Sequence, residues 1–383
     1  MNTIKFPVTS NLRRTVNELD YVSNRWQSRR VPIFNTIHIF QSHYALKMTR
    51  INAEQRMVFS YHSLIKNDGD FIIDYNFFRS IVDKTDSESL ITLNEVGKDQ
   101  CSIVYSVNGE WLEAYTQLFD SGEFYYDQFS SLYYEDIGSV LVPIEFRDAV
   151  YTCETAASTD EERWVLNSVY FHQKKRGSMC LVGTDGKRLN LSPDFKVNFD
   201  RSFILPTKAV PNTFSFKKKP WYITLLSNIK NSDDTLAISI TAGDIQITTK
   251  TIDGNYPTYW KVFPKRRTKW NTIIKLNDET RDSFIAGLKS IPVANRKKPY
   301  VILNITPGAG IILQSEDEQT QIPLDIPAEG GELLYAVDRN FMIDLLRVGH
   351  TRLHFTDAES ALYATAPSGF TSLLMPVRLN KIL

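Results

Sequence analysis

The sequence is short of several things, and each shortage removes a class of function. It holds only three cysteines, Cys101, Cys153 and Cys180, far apart and without a CxxC pair, so neither a disulfide framework nor a cysteine-paired zinc site is expected. They read as buried thiols. It has no excess of either charge, with 44 Lys and Arg against 44 Asp and Glu, so affinity for an anionic partner must come from how charge is distributed rather than from its total. No apolar run approaches a membrane-spanning helix, and the opening MNTIKFPVTSNLRR lacks a signal-peptide core. The expectation is a cytoplasmic protein with no membrane partner.

Catalytic signatures are missing as well. There is no GxxxxGK[ST] phosphate loop, and Gly308 and Gly310 fall in a hairpin turn rather than in a dinucleotide fingerprint. His38, His43, His62, His172, His350 and His354 show no HExxH or other metal-ligand spacing. No GxSxG elbow occurs. The adjacent carboxylates Asp233 and Asp234, and Glu161 and Glu162, lie in polar stretches rather than in a convergent, half-buried site. These absences point away from an enzyme and toward binding: no catalytic residue, no metal ligand and no cofactor is expected.

What is present is an ordinary globular composition, 42% hydrophobic and 23% charged over 383 residues. That length suits two or three domains. Asp74 can cap a helix with Phe77, Phe78, Ile81 and Val82 three, four, seven and eight residues on, and Asp338 repeats those offsets with Phe341, Met342, Leu345 and Leu346 before a stop at Gly349. The two caps stand 264 residues apart, twice 132. Further helices are predicted from Thr9 (Leu12, Val16, Leu19 inward), Pro143 (Phe146, Val150, Cys153), Pro220 (Trp221, Tyr222, Leu225, Leu226, Ile229) and Asn277 (Phe284, Ile285, Leu288). Strands are expected between them, as at Thr235 to Thr241, Asp244 to Lys250, and the hairpin from Val301 to Ser315. Six helices spaced roughly 65 residues apart predict an α+β chain of three similar domains, each with two helices on antiparallel sheet. The boundaries are set near Ile137 and Pro264, giving domains 1–137, 138–264 and 265–383.

Three segments, LVGTDGKRL (Leu181 to Leu189), TIDGNYPTYWKVFP (Thr251 to Pro264) and LLMPVRL (Leu373 to Leu379), occur in the order and spacing found in the bacterial DNA polymerase III beta subunit, the sliding clamp. RWVLN (Arg163 to Asn167), FILPTKAV (Phe203 to Val210) and RVPIF (Arg30 to Phe34) sit where that family has similar strings. The chain resembles this family throughout its last two domains and faintly in its first.

The resemblance implies a non-catalytic processivity factor. Its subunits close head to tail as a homodimer into a ring around double-stranded DNA, with helices lining the hole, and its further partners are a replicative DNA polymerase and a clamp loader. A groove for a short partner peptide would be lined by Leu166, Thr184, Gly186, Lys187, Arg188, Leu189, Pro257, Lys261, Val262, Leu373, Leu374, Met375, Pro376, Val377, Arg378 and Leu379. DNA-facing cations are expected among Arg13, Arg14, Arg29, Arg30, Arg79, Arg147, Lys217, Lys218, Lys219, Arg281, Lys289 and Arg347. Lys187 and Lys261 stand where the family often has histidine and arginine, Pro211 to Lys219 reads as an insertion, and Asn380 to Leu383 run past the third segment. Two other readings stay open from the sequence: a metal-dependent DNA-processing enzyme, and a clamp-like scaffold that closes no ring.

Overall fold

A computed structural model describes residues 2–22, 32–120, 134–175, 177–199, 201–228, 236–293, 299–317 and 319–378. The chain divides into two compact units, Met1–Ile144 with Lys208–Thr251, and Glu145–Thr207 with Ile252–Leu383. Among the described residues its α-helices are α1 (Ser10–Leu19), α2 (Tyr75–Lys84), α3 (Ile144–Glu154), the single turn α4 (Phe214–Lys218), α5 (Asp278–Ser290) and α6 (Arg339–Arg347).

The helix starts follow from their caps. Thr9 accepts the Leu12 N–H at the head of α1, and Asp74 accepts that of Phe77 at the head of α2. Asn277 and Thr280 close a reciprocal capping box on α5. Asp338 accepts from Asn340 and Phe341, and Gly349, with φ 89°, ends the segment after α6 where a side chain would be strained. The repeated offsets hold in both helices: Phe78, Ile81 and Val82 are buried in α2 as Met342, Leu345 and Leu346 are in α6. Phe77 and Phe341, at the first offset, are only half-buried.

The helix expected from Pro220 is not formed. Trp221–Asn228 is instead a strand, paired on one side with Leu236–Ala242 and on the other with Tyr134–Val142. Residues four apart share a face in a helix and in a strand alike, so Trp221 and Leu225 fit both patterns. Tyr222 decides the matter. A helix would turn it inward with its neighbours, whereas here Tyr222 is 47% exposed and Trp221, Ile223 and Leu225 are buried in alternation. Ile229 lies outside the described residues. The helical turn sits just upstream instead, as α4.

In the first unit, a six-stranded antiparallel sheet runs in the order Thr36–Ile51, Gln55–Asp74, Ile245–Lys250, Leu236–Ala242, Trp221–Asn228, Tyr134–Val142. A four-stranded one runs Thr3–Pro7, Leu90–Glu95, Gln100–Val107, Glu110–Gln117. Helices α1 and α2 pack together, joined where the Tyr75 hydroxyl donates to the Val16 carbonyl at 2.7 Å. The fully buried Arg50 guanidinium lies 3.6 Å from the centre of the Tyr75 ring and donates to the Leu19 and Phe34 carbonyls, each at 3.3 Å.

The second unit holds a nine-stranded antiparallel sheet in the order Phe203–Pro206, Ser168–Lys174, Ser178–Thr184, Arg188–Leu191, Thr371–Leu374, Leu362–Thr365, Arg352–Phe355, Thr272–Lys275, Ala328–Gly330. A four-stranded sheet, Gln321–Leu324, Gly310–Gln314, Tyr300–Thr306, Leu333–Asp338, completes it. Leu303, Tyr335, Phe284, Leu346 and Leu374 meet in one core under α5 and α6. Helix α3 packs backbone to backbone against the strand Ser178–Thr184: a Cβ on Gly183 would lie 1.9 Å from the Cys153 carbonyl oxygen.

Candidate functional site

The join at the middle of the nine-stranded sheet builds a concave site. Arg188–Leu191 pairs antiparallel with Thr371–Leu374, Arg188 opposite Leu374 and Leu189 opposite Leu373. Two segments whose paired residues lie 180 to 186 positions apart in sequence thus become neighbouring strands. The turn that leads into the first strand is fixed locally. Asp185 Oδ1 accepts the N–H groups of Lys187 and Arg188 at 2.8 and 2.9 Å, and Thr184 Oγ1 accepts that of Gly186 at 3.1 Å. Gly186 sits at φ 86°, where other residues are strained. The Met375 N–H donates to the Lys187 carbonyl at 2.8 Å and continues the join past the strand end.

Between this ladder and the turn Tyr259–Lys261 opens a cavity of about 380 Å³, within the range of small-ligand sites. Leu166, Thr184, Gly186, Lys187, Arg188, Leu189, Pro257, Lys261, Val262, Leu373 and Met375 line it, together with Thr258, Tyr259 and Ala361. Val262 is 62% exposed and Met375 48%, so apolar surface is open to solvent at the rim.

Arg188 braces the cavity wall. Its Nε meets Asp185 Oδ2 at 3.1 Å, its Nη1 meets Asp344 Oδ2 at 2.8 Å, and its guanidinium carbon lies 4.1 Å from the centre of the Phe341 ring on α6. Under the opposite wall Tyr259 Oη stands 2.7 Å from His172 Nδ1 and 3.3 Å from Cys180 Sγ. Burial pushes the Tyr259 hydroxyl and the Cys180 thiol up and the His172 imidazole down, so each is held neutral near pH 7. This is a satisfied polar floor beneath an apolar groove, suited to receiving side chains rather than to activating a nucleophile. Among the described residues no three His, Cys, Asp or Glu side chains converge as a metal site, and no helix is long and apolar enough to cross a membrane.

Residues 141–258 match the family described as DNA polymerase III beta subunit, central domain. The beta sliding clamp of Borreliella burgdorferi is 27% identical over 230 residues, covering 54% of this chain and 58% of that protein. That of Chlamydia muridarum is 24% identical over 249 residues, 62% of this chain and 63% of that protein. The chain thus aligns with less than two thirds of the length of these relatives. Among solved structures, the Caulobacter crescentus beta sliding clamp superposes with a TM-score of 0.81 at 18% identity, covering 98% of this chain and 99% of that one. The Bartonella birtlesii sliding clamp bound to griselimycin gives 0.81 at 20% identity, with the same coverage. The chain is a divergent relative of the bacterial beta sliding clamps. Its α+β fold of helices on antiparallel sheets is the clamp fold.

Eleven of the sixteen residues that the clamp resemblance places in the groove line the cavity. Leu374 does not: it is fully buried in the core of its unit. Pro376, Val377 and Arg378 are absent from the lining because the chain leaves the groove after Met375, the Val377 N–H donating to the Ala336 carbonyl at 2.8 Å. Leu379 and the tail to Leu383 lie outside the described residues. The sequence reading missed Thr258, Tyr259 and Ala361. Tyr259 lay inside a quoted segment and could have been found there, but Ala361 carries no signal of its own.

The cations sought for DNA are dispersed in their roles. In the first unit Arg13 donates to the Asp83 carbonyl at 3.2 Å and also to that of Thr85, and Arg14 is exposed beside Asn11. Arg79 is paired with Asp20 at 3.0 Å, Lys217 and Lys218 are exposed on α4, and Lys219 lies 3.5 Å from Asp244. In the second unit Arg147 is only 8% exposed and holds Asp148 at 2.9 Å, so it is not an open cation. Arg281 pairs with Asp278, Lys289 is exposed, and Arg347 reaches Asp344 at 3.5 Å. Arg29 and Arg30 lie outside the described residues.

Proposed function

We propose that this protein is a non-catalytic sliding clamp, a cytoplasmic processivity factor that encircles duplex DNA and tethers a replicative polymerase, loaded by a clamp loader. Its three domains would be 1–137, 138–264 and 265–383, and two subunits would close head to tail, a contact that makes a ring only where the rotation per domain completes a circle. The observation that carries this reading is the ladder of Arg188–Leu191 on Thr371–Leu374, which draws the three clamp-like segments around a single open apolar groove.

The physics fits an exchangeable tether. One buried Leu or Phe side chain contributes about 1.5–3 kcal/mol, so two or three supply about 3–9 kcal/mol before ordering costs, against the roughly 8 kcal/mol of micromolar binding, which keeps the tether weak and exchangeable. DNA would be held by topology, its phosphates meeting mobile cations that read no base.

The test is fluorescence anisotropy of a labelled peptide of the glutamine-leucine-x-leucine-phenylalanine type, titrated with the intact protein and with Val262→Asp and Met375→Asp. Both positions are exposed, so the fold should survive these changes. Saturable micromolar binding, lost in both variants, is expected. Absence of binding to the intact protein would remove the groove from this reading.

A further inference from the structure

The loop that follows the groove wall holds the largest local cluster of positive charge in the sequence of this neutral chain. Between Pro264 and Trp270 it runs Lys265, Arg266, Arg267, Thr268, Lys269, and all four cations are exposed. None of them forms an ion pair among the described residues, in contrast to Arg188, which Asp185 and Asp344 neutralise. Lys261, exposed on the cavity rim, has no carboxylate partner there either.

The loop is held in place rather than left to wander. Phe263 meets the Tyr363 ring edge-on at 6.3 Å, and Trp270 stacks on that same ring at 5.7 Å and 9°. Inside the loop the Thr268 N–H donates to the Lys265 carbonyl at 2.9 Å, and past its end the Asn271 N–H donates to that of Phe355 at 2.8 Å. Tyr363 is the cross-strand neighbour of Leu373, which lines the cavity. The cations are therefore fixed to the ring beside the groove floor, and Lys261 leads into them from the groove wall.

We propose that the peptide received by this groove carries acidic residues flanking its apolar anchors, and that Lys261 with Lys265, Arg266, Arg267 and Lys269 selects for them. This rests on the groove reading above and specifies the partner's chemistry. Apolar anchors alone set affinity without telling partners apart, whereas a preplaced positive patch speeds encounter with acidic segments and rejects basic ones. A single nucleic-acid strand is the competing occupant of a basic surface. It would need aromatic faces for its bases, yet the Phe263 and Trp270 rings are engaged with Tyr363, leaving Trp260, 53% exposed and stacked on His172, as the free face beside the run. Continuity with the groove favours the peptide.

The experiment compares two labelled peptides with identical leucine and phenylalanine anchors, one flanked on both sides by aspartates and the other by asparagines. Anisotropy is read at about 50 and about 500 mM salt, conditions under which screening lengths differ several-fold. The aspartate peptide should bind about tenfold more tightly at low salt and lose that advantage at high salt, as summed surface charge contacts do. The variant carrying Lys265→Gln, Arg266→Gln, Arg267→Gln and Lys269→Gln should bring the aspartate peptide most of the way to the asparagine one. The asparagine peptide's own affinity should stay unchanged, which also reports that the variant is folded. Equal binding of the two peptides at low salt, or a full preference surviving in the variant, would overturn the proposal and leave the groove standing. Failure of both peptides to bind would overturn the groove and the proposal together. An oligothymidylate that outcompetes the aspartate peptide, and loses this ability in the variant, would assign the run to nucleic acid and overturn it.

Discussion

Arg188 shows how one side chain can hold a binding surface in shape. It is 15% exposed, bonded to Asp185 in its own turn and to Asp344 on α6, with Phe341 beneath it. Lysine cannot reproduce a fork that reaches two carboxylates and a ring face. Arg188→Lys is therefore expected to weaken peptide binding about tenfold, which is about 1.4 kcal/mol. A double-mutant cycle with Asp344→Ala, read by urea unfolding, should give a coupling of about 1 kcal/mol; additive effects would mean that the bridge does not hold the wall. His350 gives a prediction in pH. It is fully buried after α6, its Nδ1 bonded to the Leu345 carbonyl at 2.9 Å, and burial pushes its pKa down to about 4. Because the folded value lies below the unfolded 6.5, the unfolded chain takes up the proton first as pH falls. The stability contributed by neutral His350 is thus present above about pH 6.5 and is lost on descent through pH 4, on the order of 3 kcal/mol across that window. Chemical denaturation at pH 4.5 and 7.5 should show a smaller pH difference in His350→Asn than in the parent, even though His172 and His354 shift the same way and keep some of it.

At the scale of elements, close packing sets what can be changed. Helix α3 lies so near the strand Ser178–Thr184 that Gly183 has no room for a methyl group against the Cys153 carbonyl. Backbone cannot rotate away as a flexible side chain would, so Gly183→Ala should destabilise the protein by about 3 kcal/mol. Thermal unfolding that is unchanged by this substitution would contradict the packing described for α3. Loss of the cap in Asp74→Ala should cost about 1 kcal/mol, a smaller effect because water can reach the helix end and replace one part-buried acceptor. The contrast separates a steric constraint inside the sheet–helix interface from a solvable one at a helix end.

At the scale of the whole molecule, the proposed ring makes a statement about mass. The chain is 44.0 kDa, and light scattering at micromolar concentration should return twice that value; a monomer at every concentration would favour the scaffold that closes no ring. The central-domain match covers residues 141–258, a stretch that contributes strands to both compact units.

Helix starts, the large hairpin and the inward faces of α1, α2, α3, α5 and α6 were legible in the sequence, because a cap and a 3.6-residue period are local properties that neighbouring residues fix by themselves. Trp221–Asn228 was not, since apolar residues four apart satisfy both periods and only the strands on either side decide between them. The groove was legible only through resemblance. No property of Leu189 or Leu373 alone reveals that they face each other, and Leu374, one residue on, turns into the core because side chains alternate along a strand. Composition could say that charge is balanced, but only the placement of Phe263 and Trp270 on one tyrosine ring makes a fixed patch of four cations beside that groove. Local order is determined by short stretches of sequence. A binding surface is determined by which distant stretches the fold brings into register.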